Sequence, residues 1–269
     1  MTVPDTLHLP RILCLHGGGV NGRVFRMQCR SIIAELATTY RLVFMDGPYA
    51  SAGHKDIVAV YGTMGPFRRW LPWHNEQPDL PPDAASDDIM NACLAAMDED
   101  PGFGPWVGVL GFSQGAKVAA SLLWAQQQAE AVSGWEDGDE KAALVLPRTQ
   151  FKFGVLMAGS APIIHLDARL PQPRHIAEPA LFTTAFRDFP EKQSGGPHVL
   201  RIPTLHVHGL RDEGLEGHRR LLRMYCKPGT ARLVEWDAGH RLPFKPNDVQ
   251  RVVKQILDMA RHAKGFDLR

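Results

Sequence analysis

The sequence predicts a doubly wound α/β fold, a mostly parallel sheet with helices on both faces and short lid-like insertions. Three observations carry that prediction. Short apolar runs recur along the 269 residues, each ending at glycine, proline or a polar cluster. The runs are continuous rather than alternating, as in strands buried on both faces. Helical patterns lie between several of them, the rhythm of strand–helix–strand units.

In chain order, Arg11–Leu15 reads as the first strand and runs into "HGGG"; a helix follows over Val24–Ala37. Leu42–Met45 is the next strand, ending at "DGPY", and Ser86–Met97 the next helix. Trp106–Leu110 leads into "GFSQG" and a small-residue helix over Gln114–Glu130. Phe153–Met157 ends at "AGSAP", and Thr204–Val207 at "HGLRDEG" before a helix over Leu215–Tyr225. Arg232–Trp236 ends at "DAGH". The last helix carries one stripe of Val249, Val252, Val253, Ile256 and Ala260. Asn247 followed by Gln250 resembles a capping box with Asn in place of Ser or Thr, which puts the helix start at Asn247.

Two stretches break the rhythm. Residues Ala50–Pro82 are rich in Pro, Gly and Trp, and Pro162–Pro203 has many prolines and no period. Both are too long for simple connectors and read as lids or substrate walls. The acidic "WEDGDEKAA" reads as a solvated loop. With no repeat and no linker, residues 1–269 are expected to form one domain.

Composition narrows the function classes. A chain 44% hydrophobic and 22% charged suits a packed domain, and a formal net charge of +1 gives no global field toward nucleic acid or an anionic membrane. Cys14, Cys29, Cys93 and Cys226 are scattered without a CxxC pair, as reduced thiols of a reducing compartment would be. No segment reads as a signal peptide or a membrane span, so a cytoplasmic protein is expected.

The chemistry concentrates at "VLGFSQGA". Gly111-x-Ser113-x-Gly115 fits a nucleophile elbow, in which a serine occupies a sharp strand-to-helix turn and only small residues two before and two after let the chains pass. The strand precedes it and the helix opens directly after it. Such a serine needs an acid and a base later in the chain, each in a loop after a strand. Asp212 in "HGLRDEG" and His240 in "DAGH" occupy those places, with Glu213, Glu216 and Asp237 as competing acids. One oxyanion-hole amide is expected from Gln114 and the other from the glycine loop, at Gly18 or alternatively Gly19. His16 is expected to brace that loop. Ser160 lacks the elbow glycine, and the His206/His208 pair has metal-ligand spacing but reads as structural.

The elements "LCLHGGGVNGRVFRMQC", "VFMDGPY", "GPFRRWL", "LGFSQGA", "PTLHVHGLRDEG" and "DAGHRLP" occur in order. On them the chain resembles the fungal FSH-type serine hydrolases of the α/β-hydrolase superfamily, and more closely the thioesterases that accompany polyketide synthases. The resemblance spans Leu13 to Pro243. It implies that Ser113, Asp212 and His240 form a catalytic triad. It further implies release of a polyketide or related acyl chain from an acyl carrier protein, without metal or organic cofactor. A carboxylesterase acting on free small esters, or a non-catalytic binding protein of the same fold, are the alternatives. Phe67, Trp70, Leu71 and Trp73 either wall an acyl pocket or fill core. Arg68 and Arg69 would face an acidic carrier at its mouth. Pro162–Pro203 diverges from the family and is where product specificity is expected.

Overall fold

The computed structural model describes residues 6–73, 77, 80, 84–133, 149–181 and 185–262. Six strands form one sheet: β1 (Arg11–Leu15), β2 (Arg41–Met45), β5 (Trp106–Phe112), β6 (Thr149–Met157), β7 (Thr204–Gly209) and β8 (Ala231–Trp236). Their order is β2-β1-β5-β6-β7-β8, and every neighbouring pair is parallel. Alternate residues of the central strands feed two cores. Leu13, Leu15 and Val109 pack with α4 (Ala85–Glu99), α5 (Gln114–Ser133) and α6 (Leu215–Tyr225) on one face. Ile12, Cys14 and Leu110 pack with α1 (Gly22–Gln28), α2 (Arg30–Leu36) and α7 (Pro246–His262) on the other. Strand order reverses between β1 and β5, the neighbours that register Leu15 against Gly111. The crevice beyond the carboxyl ends of strands at such a reversal is where open α/β sheets bind ligands.

Several expectations are corrected. The helix read over Val24–Ala37 is two helices, because Cys29, at φ −83° and ψ 4°, interrupts the regular turn between α1 and α2. The last helix starts at Pro246, not Asn247. Proline suits the first helical position because its missing N–H has no intrahelical partner there, and Lys245 O accepts the Val249 amide. Residues 49–82 hold a two-stranded antiparallel ribbon, β3 (Tyr49–Ser51) with β4 (Phe67–Arg69), and the short helix α3 (Lys55–Tyr61). Asn21 ties this insertion down: its Nδ2 donates to the Met64 and Pro66 carbonyls while its Oδ1 caps α1 at the Val24 amide.

Segment 162–203 is irregular, with part of its described residues buried and part exposed. Ile163, Ile164, Leu166, Ile176 and Leu200 join the core beneath α5. Side chains of α5 satisfy its backbone: Ser121 Oγ accepts from the Ile164 amide, Trp124 Nε1 donates to Pro197 O, and Gln127 Nε2 donates to Val199 O. The acidic "WEDGDEKAA" lies outside the described residues. All four cysteines are buried free thiols. Among the described residues no helix is long and apolar enough to cross a membrane.

Asp100 fastens the amino ends of β1 and β2. Its side chain, 4% exposed, accepts from Arg41 Nε and Nη2 at 2.9 and 2.6 Å and from Arg11 Nη1 at 3.3 Å. Burial alone would raise its pKa; the two guanidinium groups outweigh that and hold it below the usual carboxylate value. Asp100→Ala, which strands two partly buried cations, should cost about 3 kcal/mol, read as a lower urea midpoint with unchanged slope. Because the folded pKa is depressed, this contribution is complete above the unfolded value of about 4 and fades as pH falls through the folded one. The gap between wild type and variant should therefore close in acid.

Candidate active site

β5 is buried along its whole length and delivers Ser113 to the crevice at φ +56°, a left-handed conformation rarely tolerated outside glycine. The Ser113 amide donates to Met157 O of β6 at 2.9 Å, which pins the turn. A side chain at Gly111 would collide with the Gly115 carbonyl, and one at Gly115 with the carbonyls of Leu15 and His16. Those collisions are the steric reason for the spaced glycines. α5 begins at Gln114, so its positive end lies beside the serine.

The other two residues converge on this point from the loops after β7 and β8. Ser113 Oγ lies 2.9 Å from His240 Nε2, and His240 Nδ1 lies 2.7 Å from Asp212 Oδ2. The Gly214 amide donates to Asp212 Oδ1 at 2.8 Å. Burial pushes the Asp212 carboxyl up, but the hydrogen bond and charge of His240 and the Gly214 amide together hold it below its ordinary pKa. Asp212 is buried, whereas Glu213, Glu216 and Asp237 are exposed, and Asp237 pairs with Arg211 at 2.9 Å. An ionised acid, an oriented imidazole and a hydroxyl thus lie in one line.

The glycine loop faces them. Gly47 N donates to His16 Nε2 at 2.9 Å, so the proton of this neutral imidazole sits on Nδ1 and is donated to Gly17 O at 2.6 Å. Burial lowers the His16 pKa to about 4, which keeps it neutral. A peptide unit is planar and trans, so fixing the Gly17 carbonyl sends the Gly18 N–H the opposite way. Gly18 sits against Gln114, whose side-chain carbon would be 2.9 Å from a Cβ placed there. The Gly19 amide, the alternative donor, is already committed to Arg68 O at 2.9 Å. Of the two loop candidates, Gly18 is therefore the one whose amide is not committed to Arg68 O.

Sequence reasoning missed the Gln114 side chain. Its Oε1 accepts from the Trp70 and Leu71 amides at 3.1 and 3.3 Å, and its Nε2 donates to Leu71 O at 3.1 Å. No local pattern announces this clamp, because its partners lie on a distant insertion.

A cavity of about 590 Å³ opens beside Ser113, with Gly17, Gly18, Gln114 and His240 at its polar end. Its apolar wall includes Ile57, Val60 and Tyr61 of α3, Trp73, Leu242 and Phe244. Of the four residues read as a possible wall, only Trp73 lines it. Trp70 is fully buried, donating Nε1–H to His16 O at 2.8 Å, and Leu71 packs in the same core. Phe67 packs in the opposite core against Gly53. Arg69 is 2% exposed, over the Tyr49 ring, and so presents no surface to a carrier protein. Arg68 is half-buried on β4, and neither of the pair lines the cavity, where Arg30 and Arg241 stand instead. Among its described residues, segment 162–203 contributes nothing to this cavity, because it is spent covering α5.

Ser160 lies against Gly217 of α6, and no helix opens after it. His206 and His208 are fully buried on β7, and the His208 ring lies 5.6 Å from that of His218.

Comparison with known proteins identifies the family. Residues 5–252 match the family described as "Serine hydrolase (FSH1)". The chain is 47% identical over 262 residues to "Esterase claE" of Penicillium crustosum, covering 96% of this chain and 95% of that protein. It is 44% identical over 261 residues to "Esterase pigG" of Monascus ruber, covering 95% and 93%. Among solved structures, the Bacillus cereus carboxylesterase superposes with a TM-score of 0.50 at 15% identity, over 96% of this chain and 92% of that one, a likeness of fold.

Proposed function

The chain belongs to the FSH1 serine hydrolase family, and from that premise we propose that it hydrolyses acyl thioesters through Ser113, His240 and Asp212. The acyl group would be a polyketide or related chain carried on an acyl carrier protein. The observation that supports the chemistry is the unbroken line Ser113 Oγ–His240 Nε2, His240 Nδ1–Asp212 Oδ2. His240 takes the Ser113 proton as Oγ attacks the carbonyl carbon, and Asp212 stabilises the imidazolium. The Gly18 and Gln114 amides hold the oxyanion, each worth about 3–4 kcal/mol in such sites. The leaving sulfur departs with the proton from His240. Water, deprotonated by the same imidazole, then cleaves the acyl-enzyme and regenerates Ser113.

The apolar wall suits an acyl chain, and Val60 and Phe244, 72% and 52% exposed, extend that wall to the surface. Arg30 and Arg241 on the cavity would meet the acidic surface of a carrier. An oxygen ester is the second reading, supported by the esterase names of the relatives. Matched acyl thioester and oxygen ester substrates should be compared on the same preparation, with fluorophosphonate labelling located by mass spectrometry. Label on Ser113 with thioester preference supports carrier-bound release. Label with ester preference favours the second reading, and a folded protein unlabelled at Ser113 would sink both.

The peptide-plane argument has its own test. His16→Ala frees the Gly17 carbonyl, so the Gly18 amide loses its fixed aim. Turnover should fall roughly 100–1,000-fold, the loss of one oxyanion donor, with KM little changed. A thermal melt on the same sample separates this from unfolding; a kcat within a few-fold of wild type would refute the bracing role.

A further inference from the structure

Asp212 has a second imidazole beside it. His218 of α6 is 1% exposed, and its Nδ1 points at Asp212 Oδ2 from 3.9 Å without a hydrogen-bond partner. His240 Nδ1 approaches the same oxygen at 2.7 Å. One ligand atom from each of the three residues falls within 4.8 Å of the other two. Two imidazoles and a carboxylate are the donor set of a three-ligand zinc site with one open position. We propose that Asp212, His218 and His240 form an inhibitory site for a zinc ion, which switches off the proposed triad by occupying the nitrogen that Asp212 normally orients. The inference rests on the reading of His240 as the base.

The geometry is close to what zinc needs. Tetrahedral ligands at about 2.0–2.2 Å from zinc are about 3.4 Å apart. The 2.7 and 3.9 Å separations from Asp212 Oδ2 fall on either side of that and the two imidazole atoms lie within 4.8 Å, so His240 must retreat slightly from the carboxylate and His218 close in on both. His240 is 43% exposed at a loop end and lines the cavity, so it can yield. His218 offers a buried Nδ1 that no hydrogen bond occupies.

Inhibition follows from proton bookkeeping. In the active form the neutral His240 ring holds its proton on Nδ1, leaving the Nε2 lone pair for Ser113. Zinc on Nδ1 needs the electron pair that holds the proton there, so that proton moves onto the Nε2 lone pair, with no net release from the ring. Nε2 then faces Ser113 as a donor and cannot accept its proton. Zinc also neutralises the carboxylate that would stabilise the imidazolium. Ser113 is untouched, so removal of the metal restores activity.

The test uses the whole chain. Zinc should abolish ester hydrolysis and fluorophosphonate labelling of wild type together, and a chelator should restore both. Ser113→Ala protein should take up one zinc in competition with a chromophoric chelator, a readout independent of turnover. His218→Gln, with His218→Asn as a second variant should the first not fold, should weaken both uptake and inhibition. The expected loss is at least about 10–100-fold, typical of removing even an outer partner of a metal ligand. His54→Gln controls for the other imidazole near a carboxylate on the cavity, Nδ1 being 3.9 Å from Asp56, and should leave zinc inhibition unmoved. Labelling that persists at zinc levels saturating the Ser113→Ala protein, or inhibition that follows His54 instead of His218, would overturn the proposal. Failure of metal-free wild type to label would overturn the catalytic reading, while zinc uptake by the Ser113→Ala protein would still decide whether the ion binds there.

Discussion

His240→Ala is expected to lower kcat by about a million-fold while KM moves little, and Ser113→Ala by a similar factor. The size follows from the geometry. His240 Nε2 is hydrogen-bonded to Ser113 Oγ at 2.9 Å, and without it the hydroxyl must attack as a weak neutral nucleophile. The two residues act as one device, so their losses should not add: the double variant should be no slower than either single one. What remains, roughly 1,000–10,000-fold over the uncatalysed rate, would come from the Gly18 and Gln114 amides and from binding. Slow hydrolysis measured at high enzyme concentration would read these rates, with the melt of each variant as a folding control. A double variant slower than both singles by the product of their effects would mean that the two residues act separately.

What could be read from the sequence followed physical rules that act locally. The central strands announce themselves because both faces are buried, which leaves unbroken apolar runs. The elbow was legible because steric crowding at one turn demands Gly111 and Gly115 within five residues of chain. Asp212 and His240 could be named because strand ends in this topology share one edge of the sheet. Choices settled by distant partners were not legible. Gly18 and Gly19 differ because the Arg68 carbonyl captures one amide and not the other. Trp70 and Trp73 are close in sequence, yet one donates to His16 O in the core and the other lines the cavity. β3 and β4 are three-residue strands, too short to show alternation, and α3 hides among glycines and prolines. Segment 162–203 has no period of its own because its described hydrogen bonds are isolated bridges, turns and contacts with side chains of α5 instead of a continuous ladder. The capping-box pattern at Asn247 misled for a local reason: Pro246 already suits the first turn.

Asp212→Asn should cost about ten-thousand-fold in kcat with the fold intact, although it removes only one charge. Asp212 Oδ2 accepts the His240 Nδ1 proton, and Oδ1 accepts the Gly214 amide. An asparagine can keep its carbonyl on Gly214 only by turning its NH₂ toward His240. Nδ1 then becomes the acceptor, the ring proton moves to Nε2, and the group facing Ser113 is a donor that cannot act as base. The imidazolium also loses the buried carboxylate that stabilises it as the serine attacks. Both effects fall on the chemical step, so KM should change far less than kcat, and fluorophosphonate labelling should slow in parallel with turnover. Glu213→Gln and Asp237→Asn provide the contrast, since both side chains are exposed and Asp237 is held by Arg211. Each should stay within a few-fold of wild type. If either of them matched the loss at Asp212, the acid that orients His240 would have been misassigned.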